Sequence, residues 1–344
     1  MKGLRASSRT AGRSLAAVVT ALALVAVTAC PVPPSAALAA ADQPAPGERF
    51  LQVVAHPDDD LLFMSPDLYG SVLRGLPTVT VYLTAGEGMA GVDDGRDPSA
   101  YARAREEGLR AAYAYLAGVR DVWHEGTLRA DGLELRTAVL ADRPRVRLVF
   151  ARLPDGGDPR ADGGGDALTR LWEGRSCVRR FAAAFERPCL RRGNVLRLLR
   201  ALYARFRPTV LRTLDPDPPA AGRHCDHPDH VASARFALAA AGGLALRVVS
   251  YRGYPMTWWA PNVDARAREL KRRVFGVYRA HDYRAARGWR YQAWTERMYR
   301  IAGRPAWPPG PAPAVRTSPG AWPSAPGPAP EPGRPTPGGR RSAP

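Results

Sequence analysis

The chain has 344 residues, 45% of them hydrophobic and 24% charged, which is the composition of a folded protein with a sizeable core. Its formal charge is +18, from 50 Lys and Arg against 32 Asp and Glu. Only Lys2 and Lys271 stand beside 48 arginines, and basic residues between the termini are interspersed with acidic ones. No basic block of the kind that grips nucleic acid is present, so nucleic acid is not an expected partner.

At the N-terminus Lys2, Arg5, Arg9 and Arg13 precede an apolar run at 15–29. That run is too short for a typical membrane span and has the order of a secretory signal. Ala37-Leu38-Ala39 suits cleavage by signal peptidase. Val27-Thr28-Ala29-Cys30 instead suits lipoprotein processing, which would leave the protein membrane-anchored through a lipid on Cys30. Pro31 directly after the cysteine favours release. The expected layout is a signal peptide at 1–39, a linker at 40–47, one domain at 48–302 and a tail at 303–344. In the tail 21 of 42 residues are Pro or Gly, too few apolar side chains to order a segment. Export permits disulfides, and Cys177 and Cys189 flank a short segment. Cys225 would then be the odd thiol.

Within the domain, β-like apolar runs at 50–55, 78–83, 146–150, 209–214 and 246–251 alternate with helical patterns at 98–116, 194–206 and 231–241. Pro98 opens the first of these helices. Such alternation predicts an α/β fold with a mostly parallel sheet between helices. Ligands of such sheets gather at the carboxyl ends of the strands.

The first run ends there in Ala55-His56-Pro57-Asp58-Asp59-Asp60, with no glycine-rich phosphate loop. Much later His224-Cys225-Asp226-His227-Pro228-Asp229-His230 precedes a helix, so four of the six histidines sit in two short stretches. Either stretch alone could be a helix cap, since Asp accepts hydrogen bonds from free backbone N–H groups. Together they offer the nitrogen and carboxylate ligands that zinc prefers.

AHPDD after the first strand and HPDH before a later helix resemble the PIG-L/LmbE-like family of zinc-dependent N-deacetylases, over roughly residues 50–282. The resemblance implies a Rossmann-like three-layer sandwich. It implies that His56, Asp59 and His230 bind Zn2+, with Fe2+ as an alternative ion. Asp58 would be the general base, His227 would face the substrate carbonyl, and Asp229 would orient a neighbouring histidine. The implied reaction removes an N-acetyl or N-acyl group from an amino sugar, free or in a glycan. The family usually has Glu where this chain has Asp60. His224 and Cys225 offer a different metal register, or are plain loop residues. Asp215-Pro216-Asp217 lines the pocket or makes a turn, and Glu87 faces substrate or solvent. Trp258 and Trp259 stack on a sugar or pack, whereas His124 and His281 read as structural. A secreted carbohydrate-binding protein with a vestigial metal site is the alternative reading.

Overall fold

The computed structural model describes residues 44–158, 165–181, 189–218 and 225–301. Cys30, the Ala37-Leu38-Ala39 segment, His224 and the Pro/Gly-rich tail lie outside the described residues. In chain order the first half contains β1 (Phe50–Val54), α1 (Asp59–Phe63), α2 (Asp67–Leu73), β2 (Thr78–Thr84), α3 (Pro98–Ala117), β3 (Trp123–Ala130), β4 (Leu133–Leu140) and β5 (Val146–Leu153). The second half contains α4 (Ala167–Trp172), α5 (Arg192–Phe206), β6 (Val210–Leu214), α6 (Pro228–Ala241), β7 (Arg247–Tyr251), α7 (Ala265–Arg279), α8 (Trp289–Thr295) and β8 (Arg300–Ile301).

A run such as FLQVV, apolar without alternation, has to be covered on both faces, and every residue of β1 is buried. It lies inside one sheet of order β3-β4-β5-β2-β1-β6-β7-β8. The pairs β5-β2, β2-β1, β1-β6 and β6-β7 are parallel; β3-β4, β4-β5 and β7-β8 are antiparallel. Helices α1, α2, α3, α7 and α8 pack together on one side, and α4, α5 and α6 pack together in a second group. The fold is therefore the expected mostly parallel α/β sandwich. The alternating runs did not show that its edges are antiparallel.

Local chemistry explains most boundaries. Asp97 caps α3 by accepting hydrogen bonds from the N–H groups of Ser99 and Ala100, with Pro98 in the first turn. Gly118 ends that helix at φ 65°, a left-handed position that glycine takes without strain. Helix α6 starts three residues before the predicted 231, because Pro228 also suits a first turn and His227 caps it. The hairpin β3–β4 was missed, since its outer strand is mostly exposed and shows no core pattern. Asp131 at φ 47° and Gly132 at φ 76° make its turn, and Asp-Gly is the residue pair such turns favour.

Cys177 and Cys189 are disulfide-bonded. Closing a loop of 12 residues stabilises mainly by restricting the unfolded chain, typically by about 2–4 kcal/mol. The double variant Cys177→Ser/Cys189→Ser should therefore melt roughly 5–10 °C lower in a thermal scan. Wild type scanned in reductant should match it. Equal melting of wild type with and without reductant would show that the bond adds no stability.

Candidate active site

The connection from β1 runs to the helical layer of α1, and the connection from β6 runs to that of α6. A crevice opens between neighbouring strands whose connections leave to opposite faces. Both histidine motifs meet in it. After β1 the chain turns sharply: Asp59 Oδ2 accepts a hydrogen bond from the His56 backbone N–H at 2.7 Å. Asp58 has φ 114°, a conformation that a residue with a side chain adopts only under constraint. In the second motif His227 Nδ1 accepts from the Asp229 N–H at 3.1 Å, which sets Asp229 and His230 in the first turn of α6.

His56, Asp59 and His230 each bring one donor atom within 4.8 Å of the others, and all three are buried. His230 Nε2 is 3.0 Å from Asp59 Oδ1 but makes no hydrogen bond. The other nitrogen of that ring, Nδ1, lies 2.7 Å from Asp226 Oδ1. His56 is held in the same way: Nδ1 faces Asp59 Oδ2 at 3.5 Å, while Nε2 lies 3.3 Å from Asp229 Oδ2 and 3.6 Å from Asp155 Oδ2. An imidazole with one nitrogen on a carboxylate and the other turned to a shared centre is the arrangement of a metal ligand. Two imidazoles and one carboxylate suit a divalent ion with bonds of ~2 Å and a position left for water or substrate. The donor set fits.

Burial opposes a charge on His230, yet Asp59 and Asp226 outweigh it and raise its pKa to about 9. Burial also opposes charge on Asp59, and His230 and His56 overcome it, holding the carboxyl well below its usual range. A second group, His56, Asp155 and His227, is similarly close. There Asp155 Oδ1 accepts from the Gly157 N–H at 2.7 Å and His227 Nδ1 is already engaged. The two groups share His56 and are alternative ways for the crevice to hold an ion; His230 Nε2, buried without a hydrogen-bond partner, favours the first.

Asp58 adjoins the ligands without joining either group. Burial pushes its carboxyl up to about 8 despite Arg105, whose Nη2 is 3.1 Å from Asp58 Oδ1. His227 is pushed down to about 4 by burial, with His56 adding to the effect. It is therefore neutral at pH 7. Since its Nδ1 accepts from a backbone N–H, its ring proton sits on Nε2.

Further side chains around the crevice had no role assigned by the two motifs. Arg105 of α3 donates from Nη1 to the Gly86 carbonyl at 2.7 Å, from Nη2 to the Pro57 carbonyl, and from Nε to Tyr278 Oη at 2.7 Å. Its Nε also lies 3.2 Å from Asp282 Oδ2. Asp226 Oδ1 accepts from the N–H groups of His227 at 2.8 Å and Tyr254 at 3.0 Å, besides facing His230. Glu87 is buried from solvent, and its Oε1 accepts from the Asp155 N–H at 2.9 Å. Asp215 makes a turn, accepting from the Asp217 N–H at 3.0 Å, and pairs with Arg252. Cys225 joins neither metal-holding group, and His124 and His281 are exposed elsewhere.

In sequence, residues 51–241 match the family described as PIG-L, GlcNAc-PI de-N-acetylase. That stretch covers more than half of the chain and both motifs. The chain belongs to this family. No curated protein matches it significantly in sequence. Among solved structures, a deacetylase triple mutant of the teicoplanin biosynthetic pathway is 16% identical, with 72% of this chain and 88% of that one covered and a TM-score of 0.44. The zinc-inhibited form of teicoplanin deacetylase is also 16% identical, with 69% and 85% covered and a TM-score of 0.41. N,N'-diacetylchitobiose deacetylase from Pyrococcus horikoshii is 15% identical, with 70% and 73% covered and a TM-score of 0.41. Where the PIG-L resemblance leads one to expect Glu, Asp60 accepts from Tyr82 Oη at 3.0 Å and from Tyr113 Oη. Asp60 is fully buried, and the two tyrosine hydroxyls satisfy its Oδ2.

Replacing Arg105 by Ala would leave Asp58 and Asp282 buried without their guanidinium partner, a loss of about 3–5 kcal/mol for a broken buried pair. The variant should unfold at markedly lower urea than wild type, and Arg105→Lys should recover little, because one ammonium cannot serve both carbonyls. A midpoint within error of wild type would remove Arg105 from this role.

Proposed function

We propose that this chain is a secreted, metal-dependent amide hydrolase that removes an N-acetyl or related N-acyl group from an amino-sugar substrate, with zinc as the expected ion and iron(II) as the alternative. The observation that carries this reading is the His56–Asp59–His230 cluster with the Asp58 carboxyl beside it and outside it. When bound, the ion would polarise the amide carbonyl and make a water more acidic. A cation held beside it would favour the ionised form of Asp58, which takes the proton of the attacking water as the new C–O bond forms. His227 presents its Nε2–H to the carbonyl oxygen as charge develops there. Asp58 then delivers the proton to the amine nitrogen as the C–N bond breaks, which balances the step and frees acetate. Asp229 keeps His56 turned toward Asp59 through its side chain, and His227 in its neutral form through its backbone N–H.

The charged and apolar N-terminus supports export, and the Cys177–Cys189 bond suits an oxidising compartment. Release after residue 39 is the favoured route, with a lipid anchor at Cys30 as the alternative.

The reading is tested by acetate release from a panel of N-acetyl sugars, with bound metal quantified in the same preparations. Asp58→Asn should keep its metal and lose about 10²-fold or more in rate. His230→Ala should lose both. Release of no acetate by metal-loaded wild type from any member of the panel would overturn the assignment. Full activity in Asp58→Asn would leave only the chemistry of a different base.

Asp226 tests the support of the ligands independently of turnover. Asp226→Asn should bind metal about 10–100-fold more weakly, the usual cost of losing the partner of a ligating histidine, measured by competition with a chromophoric chelator. Unchanged affinity would show that His230 is oriented by something else.

A further inference from the structure

Two tryptophans carry the largest exposed aromatic surface among the described residues, Trp258 at 44% and Trp289 at 56%. Burial of such rings is strongly favourable, so exposing two of them side by side marks a surface that meets something. Their rings touch edge to face, 5.8 Å between centroids. Trp258 ends the 3-10 helix Tyr254–Trp258, and Trp289 begins α8. These two short helices are clamped together: Trp294 Nε1 donates to Thr257 Oγ1 at 2.6 Å, and Arg297 Nε to the Trp259 carbonyl at 2.7 Å.

The inner ends of the same helices reach the crevice. Tyr254 stacks on Trp294 at 4.8 Å and stands 4.8 Å from the His230 ring. From Tyr254 to Trp258 the 3-10 helix rises roughly 8 Å, and from Trp294 back to Trp289 the α-helix rises roughly 8 Å. The exposed pair is thus displaced by a similar step along both helices from Tyr254, which stands against His230, and from Trp294, which stacks on Tyr254. One rigid aromatic unit joins the crevice to the surface. Trp259, by contrast, packs on Tyr299 at 4.8 Å and belongs to the supporting side.

We propose that Trp258 and Trp289 are a stacking platform for the sugar rings that adjoin the acetamido sugar, so that the substrate is an oligomeric or polymeric N-acetylated glycan. This rests on the deacetylase reading above. A pyranose offers one face of C–H groups and a rim of hydroxyls. It is matched by a broad, fixed, half-exposed aromatic surface that leaves the rim in water. An acyl chain or a protein helix would be matched by an enclosed apolar groove. The Arg290 guanidinium, 5.7 Å from the Trp289 ring centre, supplies hydrogen-bond donors at the edge of the platform.

The test compares N-acetylglucosamine with its β-1,4-linked tetramer as substrates of the metal-loaded full chain. Wild type should prefer the tetramer in kcat/KM by about tenfold or more, equivalent to ~1.4 kcal/mol of added binding. In Trp258→Ala/Trp289→Ala that preference should collapse toward one, mostly through KM, and Trp289→Tyr should retain part of it. Binding is read separately in Asp58→Asn protein, where the tetramer should perturb tryptophan emission only if the platform is intact. If wild type deacetylates both sugars and the double variant keeps the preference, the platform falls and the deacetylase reading stands. If no acetate is released but the tetramer still perturbs emission through these residues, the deacetylase reading falls and the glycan platform stands. Phosphatidylcholine vesicles bound through the same two residues, with no effect of the saccharide, would overturn the platform in favour of a lipid surface.

Discussion

The structure depends on supplying positive charge to a crevice crowded with buried carboxylates. Asp58, Asp59, Asp155, Asp226 and Asp229 all lie there with little or no exposure, and Glu87 sits just behind them. Ionised carboxylates taken out of water are costly unless each finds a cation or several donors. Two centres meet that demand. Arg105 serves Asp58, and the His56 and His230 imidazoles serve Asp59, Asp226, Asp229 and Asp155. The second centre can hold its positive charge as protons or as a divalent ion, and the two compete for the same nitrogens. A raised proton affinity at His230 and a site for a metal are therefore two expressions of one electrostatic field.

The same field separates the roles of neighbours that are chemically alike. Asp58 and Asp59 are adjacent, yet burial lifts the first toward neutrality while two imidazoles hold the second far below it. One carboxylate is thereby kept ionised, as the proposed ligand must be, and the other can exchange a proton, as the proposed base must. Arg105 limits how far Asp58 rises. It also ties the Pro57 carbonyl to the Gly86 carbonyl just beyond β1 and β2, so a single side chain sets both the charge and the position of Asp58.

Chemistry written in contiguous residues was legible in the sequence. His56, Asp58 and Asp59 fall in four positions, and His227, Asp229 and His230 in another four, so their types and spacing could be read directly. The parallel strands were legible because double burial leaves unbroken apolar runs. What supports the site was not, because Arg105 reaches Tyr278 across 173 residues and Tyr278 reaches Pro57 across 221. Only the folded sheet brings such partners together. Asp226 stands inside the second histidine motif, but nothing in the spacing says which of its neighbours it holds. The β3–β4 hairpin was a different kind of miss. Its Asp131-Gly132 turn was in plain view, while the strands, one largely exposed, lacked the apolar pattern that draws the eye.

Burial opposes charge on all three neighbouring imidazoles, and what each ring meets decides how far that is offset. At His230 Nδ1 meets Asp226, so a second proton or a cation on the ring is stabilised. At His56 it faces Asp59, with further carboxylates on the opposite nitrogen, and the result is similar. At His227 it meets the N–H of Asp229 at the start of α6, and a donor facing that nitrogen forbids protonation there. The positive end of the helix dipole acts in the same direction. Capping a helix with its own side chain thus holds His227 as a neutral ring with its proton on Nε2, the form that its proposed role requires.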